Sequence, residues 1–290
     1  MKQNTKQSEK RAFTIIELLT VMSIIIILIG LLVPSLNMAK RYAREVRQKA
    51  QFHSIDSALE LFSGEWDGYP PSIAKDETGD DYCGAMKLCE ALVGQDLMGF
   101  NPLSRFRADC TISGADFLYD NPPGQTLYPN TADNLKSRKT YLQQTSDAYS
   151  MSELYASTAP LDPNLYVLCD VYNRVKHRVT GKGVGMPILY YKADTLGYTH
   201  DPNIGGMLYN DNKDHIYNYM DNDELVTLPP PFNPAVAHPL STGSTFYDIT
   251  KDSRISMDEG RPYRPDSYIL ISAGFDGLYG TDDDIFNFEK

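Results

Sequence analysis

Glu17 is the first residue that could do chemistry, because it is a single carboxylate inside an apolar run. From Phe13 to Val33 the chain carries no other charged side chain. A carboxylate in the core of a bilayer costs about 2.5–3.5 kcal/mol even on the lowest scales, so such groups are functional by default. Glu17 is therefore a candidate functional residue. The alternative is an incidental acid near a helix start, where the helix dipole favours negative charge.

A second cluster of reactive side chains lies near the C-terminus, in the segment SYILISAGFDGLYGTDDDIFNFEK. Its loop holds Asp276, Asp282, Asp283 and Asp284 between glycines. Such close carboxylates repel one another unless a cation or solvent screens them. Ca²⁺ takes six to eight oxygen ligands, backbone carbonyls included, and a flexible acidic loop suits it. The pattern predicts a calcium site, with a solvated acidic surface turn as the alternative.

A weaker acidic pattern spans residues 248–259. It places oxygen-bearing side chains at positions 1, 3, 5, 9 and 12 of an EF-hand-like loop, beginning with Asp248. Ser253 stands where that loop needs glycine, and Gly260-Arg261-Pro262 does not suit an exiting helix. A second ion site is the weaker interpretation and a chance similarity the stronger one, because single short motifs are prone to false matches.

The sequence offers little support for an enzyme. No nucleophile elbow, zinc-protease motif, Walker loop or dinucleotide-binding glycine pattern occurs in a fitting context. A nucleophile pair of Cys169 with a distant histidine is no better supported than a core thiol. The four cysteines (Cys83, Cys89, Cys110, Cys169) lack zinc-binding spacing, so they are either paired in one or two disulfides or buried as free thiols.

The element that must position Glu17 is a helix long enough to span a membrane. Residues 13–33 would extend about 31 Å at 1.5 Å per residue, which matches the hydrocarbon core of a bilayer. The run is longer than the apolar region of a secretory signal peptide, and no small-residue cleavage site follows it. Basic residues flank it about equally, so charge counting does not determine its topology.

The same helix is predicted to continue well beyond Pro34. Apolar or small residues recur at steps of three and four from Ala39 to Phe62, which marks one helical face. Pro34 permits a kink rather than an end, and the turn-forming stretch from Gly64 to Pro71 ends the helix. We therefore predict a helix of residues 13–66, of which residues 13–34 form the membrane half.

The remaining residues, 67–290, are predicted to form an α+β body. A short helix is expected at Ala85–Val93, and β-rich runs at Tyr166–Tyr172, Pro187–Lys192 and Tyr268–Ala273. The irregular stretch from Asn203 to Pro239 suggests a large loop-rich insertion that could form a binding surface. The net charge of −11 argues against a nucleic-acid surface.

The stretch Lys10-Arg11-Ala12-Phe13-Thr14-Ile15-Ile16-Glu17-Leu18-Leu19 resembles the processing site of type IV prepilins and type II secretion pseudopilins. The segment around Ile55–Phe62, followed by Gly68-Tyr69-Pro70, is similar to the end of the pseudopilin helix. The C-terminal segment resembles the calcium loop of major pseudopilins. No motif covers residues 72–260.

The resemblance implies a pilin-like fold, with a long N-terminal helix packed on a small antiparallel sheet. It implies that residues 1–12 are a leader, that prepilin peptidase cuts between Ala12 and Phe13, and that Phe13 is then N-methylated. Ala12 departs from the usual glycine before the cut. Glu17 would pair with the Phe13 amine of a neighbouring subunit, and the implied calcium ligands are Asp276, Asp282 and Asp284, with Asp283 as the substitute.

The function that follows is structural: a subunit of a type IV pilus or a type II secretion pseudopilus. Its expected partners are prepilin peptidase, copies of itself and other pilin-like subunits, an inner-membrane assembly platform and membrane lipid. The chain would start as a single-pass inner-membrane protein with its body outside, and would then enter a filament. The alternative is a membrane-anchored extracytoplasmic binding domain that does not polymerise.

Overall fold

The computed structural model describes residues 14–114, 116–121, 132–143, 147–200, 214–252, 254 and 261–289. The chain divides into two compact units, Met1–Arg44 and Glu45–Lys290. The predicted leader and the Ala12–Phe13 cleavage site lie outside the described residues.

One helix, α1, runs from Ile15 to Trp66 without interruption. It includes Pro34, so the proline does not end it. Its last residue agrees with the predicted end, and Asp67 and Gly68 then leave helical geometry with φ values of 54° and 150°. The sequence prediction of one continuous helix to residue 66 is therefore confirmed over the described residues.

The C-terminal half of α1 packs through one face into the body. Its buried residues recur every three or four positions, with Ala58 and Leu59 adjacent, as one helical face requires: Gln48, Phe52, Ile55, Ala58, Leu59 and Phe62. The apolar members share a hydrophobic cluster with residues of the sheet, such as Tyr190 and Leu270. Hydrogen bonds add specificity, since Tyr268 Oη donates to Asp56 Oδ1 at 2.7 Å.

The sheet under this helix has three antiparallel strands, and the second of them in chain order is central. Strand β5 is Leu189–Lys192, β6 is Tyr268–Ser272 and β7 is Ile285–Phe286. Leu189 pairs with Ile271, and Ile271 pairs on its other side with Phe286. Strand β6 is buried at all five positions because it is central. Two of the predicted β-rich runs are thereby confirmed with slightly shorter bounds.

Two further antiparallel pairs are small. Strand β1, Ala148–Ser150, pairs with β2, Tyr166–Leu168, and β3, Val175–Lys176, pairs with β4, Gly183–Val184. Strand β2 is shorter than the predicted run to Tyr172, since only an isolated bridge joins Cys169 to Pro187 beyond it. The observed layout is thus α+β, with a long N-terminal helix and small antiparallel sheets.

The short helices are α2 (Gly84–Val93), α3 (Ala132–Ser137), α4 (Met151–Leu154), α5 (Asp223–Val226) and α6 (Gly243–Thr250). All ten residues of α2 are buried. Its first turn contributes to one hydrophobic cluster and its second half to the cluster that contains α1. The helix predicted at Ala85–Val93 is therefore a central core element of the body.

The stretch predicted as a surface insertion, 203–239, is only partly described. Within residues 214–239, Tyr217 and Leu225 are fully buried in the main core cluster. Part of this stretch is therefore core structure, whereas residues 233–237 are exposed. Sequence composition alone indicated a loop because of its many Asp, Asn and Pro residues.

Candidate functional site

Glu17 lies in the first turn of α1 and is held by Thr14. The Thr14 amide donates to Glu17 Oε2 at 2.9 Å, and the Thr14 hydroxyl donates to the same oxygen at 2.7 Å. In return, the Glu17 amide donates to Thr14 Oγ1 at 3.3 Å. This reciprocal pattern is a capping box, which satisfies backbone donors at a helix start. Sequence reasoning missed it, although the Thr-x-x-Glu spacing is its known signal.

The capping box leaves half of the carboxylate available. Both hydrogen bonds from Thr14 go to Oε2, and the described residues place no donor on Oε1. Glu17 is exposed. The carboxylate can therefore keep its local cap and still accept a second donor from outside the chain.

The other polar side chains of the span, and Ser35 directly after it, form hydrogen bonds within the helix. Thr20, Ser23 and Ser35 donate their hydroxyl hydrogens to the carbonyls of Glu17, Leu19 and Leu32, at 3.0, 2.8 and 2.8 Å. Such bonds remove the cost of placing a hydroxyl in a solvent that cannot hydrogen-bond. The large apolar residues of this half are exposed, with Ile15 at 85% and Leu31 at 72%. The helix is long and apolar enough to cross a membrane, by length and composition.

The acidic loop at the C-terminus connects β6 to β7 through three glycines with left-handed backbone. Gly274 is the most constrained of them, with φ of 64° and a position where a Cβ atom would lie 2.1 Å from the Asp283 carbonyl oxygen. Only glycine fits there. The turn therefore brings residue 274 against residue 283 and folds the loop back on itself.

The loop brings three of the four predicted carboxylates into one hydrogen-bonded turn. Asp283 Oδ2 accepts the Asp276 amide at 2.9 Å, and Asp284 Oδ2 accepts the Gly280 amide at 2.7 Å. Asp276 Oδ1 accepts the Leu278 amide at 2.7 Å. Asp282 is exposed, in contrast, so the structure places Asp283 rather than Asp282 beside Asp276.

Two carboxylates of this turn, Asp276 and Asp283, lie close enough to affect each other electrostatically. Burial raises the pKa of Asp276, and the nearby Asp283 carboxylate raises it further. Both effects disfavour the charged form and would be relieved by a hard cation, so the oxygen donors present fit Ca²⁺. Within the described ranges, no group of three or more His, Cys, Asp and Glu side chains is arranged to hold a metal ion. Because calcium also takes carbonyl and water oxygens, that result does not test the prediction.

Residues far away in the chain hold the acidic loop in place. Arg174 Nε donates to the Asp276 carbonyl at 3.0 Å, and the Leu240 amide donates to the Tyr279 carbonyl at 3.0 Å. The Tyr279 amide donates to Nδ1 of the buried His238 at 3.1 Å, so the neutral ring carries its proton on Nε2. Burial lowers the pKa of His238 to about 4. No sequence signal indicated these contacts, because they join residues more than 35 positions apart.

The second acidic pattern, 248–259, is described only in part. Asp248 lies in α6, while Ser253 and residues 255–260 lie outside the described residues. The Asp252 carboxylate is bound by the Arg254 guanidinium at 2.7 Å. That guanidinium already neutralises the acid at loop position 5.

The four cysteines are free and buried, so the disulfide alternative is wrong. Burial raises the pKa of Cys83 to about 11 and raises that of Cys169 far above its usual value. Since the thiolate is the reactive form, none of these thiols is activated as a nucleophile.

The histidines are less scattered than their sequence positions indicated. His200 and His215 both pack on the ring of Tyr247, with centroid distances of 4.8 and 4.9 Å. Burial lowers the pKa of His200 to about 3, and its Nε2 lies 2.8 Å from Thr250 Oγ1. This neutral, hydrogen-bonded histidine has the environment of a core residue.

Comparisons of the chain with protein-family models, with curated proteins and with solved structures give no match in any of the three.

Proposed function

We propose that this chain is a structural subunit of a type IV pilus or a type II secretion pseudopilus, cut and N-methylated by prepilin peptidase. It polymerises through the N-terminal half of α1. The observation that carries the proposal is Glu17, the only charged side chain between Phe13 and Val33. Its Oε2 is used by the Thr14 cap, and Oε1 remains for a donor from another subunit.

Cleavage after Ala12 supplies that donor. It creates an α-amino group on Phe13, and the ammonium of one subunit then pairs with the Glu17 carboxylate of the next. Two charges that are costly alone in a membrane become tolerable when paired and hydrogen-bonded. The cost in the single subunit and its relief on assembly favour one axial register of the helices.

The proposed location follows from the processing. The chain is first an inner-membrane protein with residues 67–290 on the periplasmic side, and it enters a filament after cleavage. Its partners are prepilin peptidase, further copies and other pilin-like subunits, the assembly platform of the inner membrane and lipid. Ca²⁺ is held in the C-terminal loop by Asp276, Asp283 and Asp284, with backbone carbonyls completing the site.

The test separates the charge of Glu17 from its capping role. In Glu17→Gln the side chain can still complete the capping box, but the charge is lost. We therefore expect Glu17→Gln to lose filament assembly as completely as Glu17→Ala, whereas Thr14→Ala assembles nearly normally. Assembly is measured as sheared filament per cell, and mass spectrometry of the mature terminus detects N-methyl-Phe13.

Normal assembly of Glu17→Gln would contradict the ion pair, and a mature chain beginning at Met1 would contradict the processing. The capping box itself favours a second candidate, a membrane-anchored binding domain that does not polymerise, since the cap stabilises the carboxylate in a single chain. That candidate predicts no assembled filament in any variant and no methylated terminus.

A further inference from the structure

Three basic residues follow the apolar span on α1, and we call Lys40, Arg41 and Arg44 the basic collar. Lys40 and Arg41 are exposed, and Arg44 is half-buried. Apolar residues continue almost up to the collar, since Leu36 and Met38 are 49% and 73% exposed. The change from apolar to basic is therefore abrupt along one continuous helix.

Helix geometry places the backbone of the collar just beyond the layer of lipid headgroups. At 1.5 Å per residue, Lys40 lies about 10 Å beyond Val33 along the helix axis. The headgroup layer on each face of a bilayer is about 5–7 Å thick. Side chains on a helix lean toward its N-terminus, which for α1 is the direction of the span. Long Lys and Arg side chains therefore reach back toward the membrane surface rather than away from it.

The rule that relates basic residues to membrane topology does not explain the three charges of the basic collar. Basic residues normally accumulate on the cytoplasmic side of a span, whereas the proposed orientation places the collar on the opposite side. We propose that the basic collar binds the phosphate groups of anionic phospholipids in the outer leaflet of the inner membrane. This inference rests on the membrane insertion in the proposed function. Tyr42, 69% exposed between the basic residues, suits the same interface.

The lipid surface is favoured over an acidic side chain of a second copy for two reasons. The collar is continuous with the apolar span, so inserting the span delivers it to the headgroups. The lean of the side chains toward the span also points their charges at the phosphates. Binding there holds the span at one depth in the membrane before the subunit leaves for the filament.

The experiment uses the full chain reconstituted in phosphatidylcholine vesicles with spin-labelled phosphatidylglycerol or spin-labelled phosphatidylcholine as probe. The fraction of each spin-labelled lipid that is motionally restricted gives the relative association constant of that lipid with the protein. We expect the wild type to prefer phosphatidylglycerol by about fivefold at low salt, the ratio that about 1 kcal/mol produces. The preference falls toward unity in about 1 M salt, where the Debye length is about 3 Å.

The combined variant Lys40→Gln/Arg41→Gln/Arg44→Gln is expected to lower the preference well below the wild-type ratio, and what remains comes from the basic residues that precede the span, Lys2, Lys6, Lys10 and Arg11. Its matched control is Lys136→Gln/Lys176→Gln/Lys182→Gln, which removes the same charge from exposed positions of the body and keeps the preference. A wild type without selectivity, or a collar variant that keeps the full wild-type preference, overturns the inference. So does a collar variant whose only defect is lost crosslinking between copies, because the collar then meets a second subunit.

Membrane insertion is measured separately, as resistance to extraction by alkaline carbonate. If the chain resists extraction but shows no lipid selectivity, only the inference about the basic collar is refuted, and the proposed function stands. A chain that carbonate releases overturns both.

Discussion

At the scale of single residues, buried carboxyl groups determine how the body responds to pH. Asp170 Oδ1 accepts the amides of Tyr172 and Met186 at 3.1 and 3.2 Å, and its Oδ2 accepts the Ser272 hydroxyl at 2.9 Å. Burial nevertheless raises the pKa of Asp170 to about 7, because these bonds do not replace the lost hydration. The carboxyl therefore joins strand β6 to two loops in its protonated form only at pH values below about 7.

The sign of the resulting pH dependence follows from linkage. The folded pKa exceeds the unfolded value, so the stabilisation from Asp170 is complete below about pH 4 and is lost as the pH rises through about 7. In the wild type we expect the free energy of unfolding to decrease by on the order of 2 kcal/mol between pH 5 and 8 because of Asp170. Asp170→Asn keeps an acceptor for the two amides and should abolish this decrease. Urea denaturation followed by the fluorescence of Trp66, the single tryptophan, measures it.

The control for this prediction is Asp133→Asn. The Asp133 side chain is 94% exposed, so the same chemical change there should leave the pH profile of unfolding as it is in the wild type. If Asp170→Asn follows the wild-type profile in parallel, the buried carboxyl is not the cause.

At the scale of elements, α1 combines two kinds of helix in one. Its N-terminal half exposes large apolar side chains in every direction, as a lipid-facing or filament-forming helix does. Its C-terminal half has one buried face and one polar face. Neither Gly30 nor Pro34 ends the helix, so both halves belong to one continuous element. The buried residues all lie in the C-terminal half.

The amphipathic half allows a matched comparison between two leucines. Leu59 is 0% exposed and Leu61 is 60% exposed on the same helix. We expect Leu59→Ala to lower the free energy of unfolding by about 2–5 kcal/mol, because it leaves a cavity among packed side chains. Leu61→Ala should change it by less than about 0.5 kcal/mol. Denaturation of the detergent-solubilised chain measures both.

Equal losses in the two variants would show that helix propensity, rather than packing of one face, stabilises this part of α1. The pair is informative because the chemical change and the helix are the same and only burial differs.

At the scale of the whole body, the acidic loop depends on residues from three other segments. Arg174, His238 and Leu240 bind its backbone, and Phe232 lies under Gly277, where a Cβ atom would be 2.8 Å from the phenyl ring. The loop that bears Asp276 and Asp283 is therefore preorganised by the rest of the body, and an ion would not have to order it.

This arrangement gives a specific prediction for calcium. At a concentration of about 100 times its Kd, a bound ion stabilises the folded chain by about 2.7 kcal/mol. We expect Ca²⁺ to raise the Tm of the wild type and of Asp282→Asn alike, and to have little effect on Asp276→Asn or Asp283→Asn. Differential scanning calorimetry with Ca²⁺ and with a chelator measures the shift.

Asp282→Asn is the matched control because Asp282 is exposed while Asp283 accepts the Asp276 amide. A loss of the calcium effect in Asp282→Asn alone would show that the ligands follow the sequence-based assignment and that the turn rearranges. No calcium effect on the wild type would refute the site.

The sequence by itself determined the elements whose signal is local. The apolar run and the spacing of Phe52, Ile55, Leu59 and Phe62 were enough to predict α1 to its last residue, because helical periodicity is encoded within a few turns. The β-rich runs of β5 and β6 were recognisable for the same reason. The capping box at Thr14 and Glu17 was equally local, and its spacing was already visible in the sequence.

Only the tertiary structure decided which distant residues meet. Asp170 and Ser272 are 102 positions apart, and His238 and Tyr279 are 41 apart, so no local pattern records their pairing. The same holds for the burial of α2, for the four free thiols, and for Asp283 rather than Asp282 beside Asp276. These outcomes depend on how the elements pack around one core, where burial sets hydrogen-bond partners and pKa values.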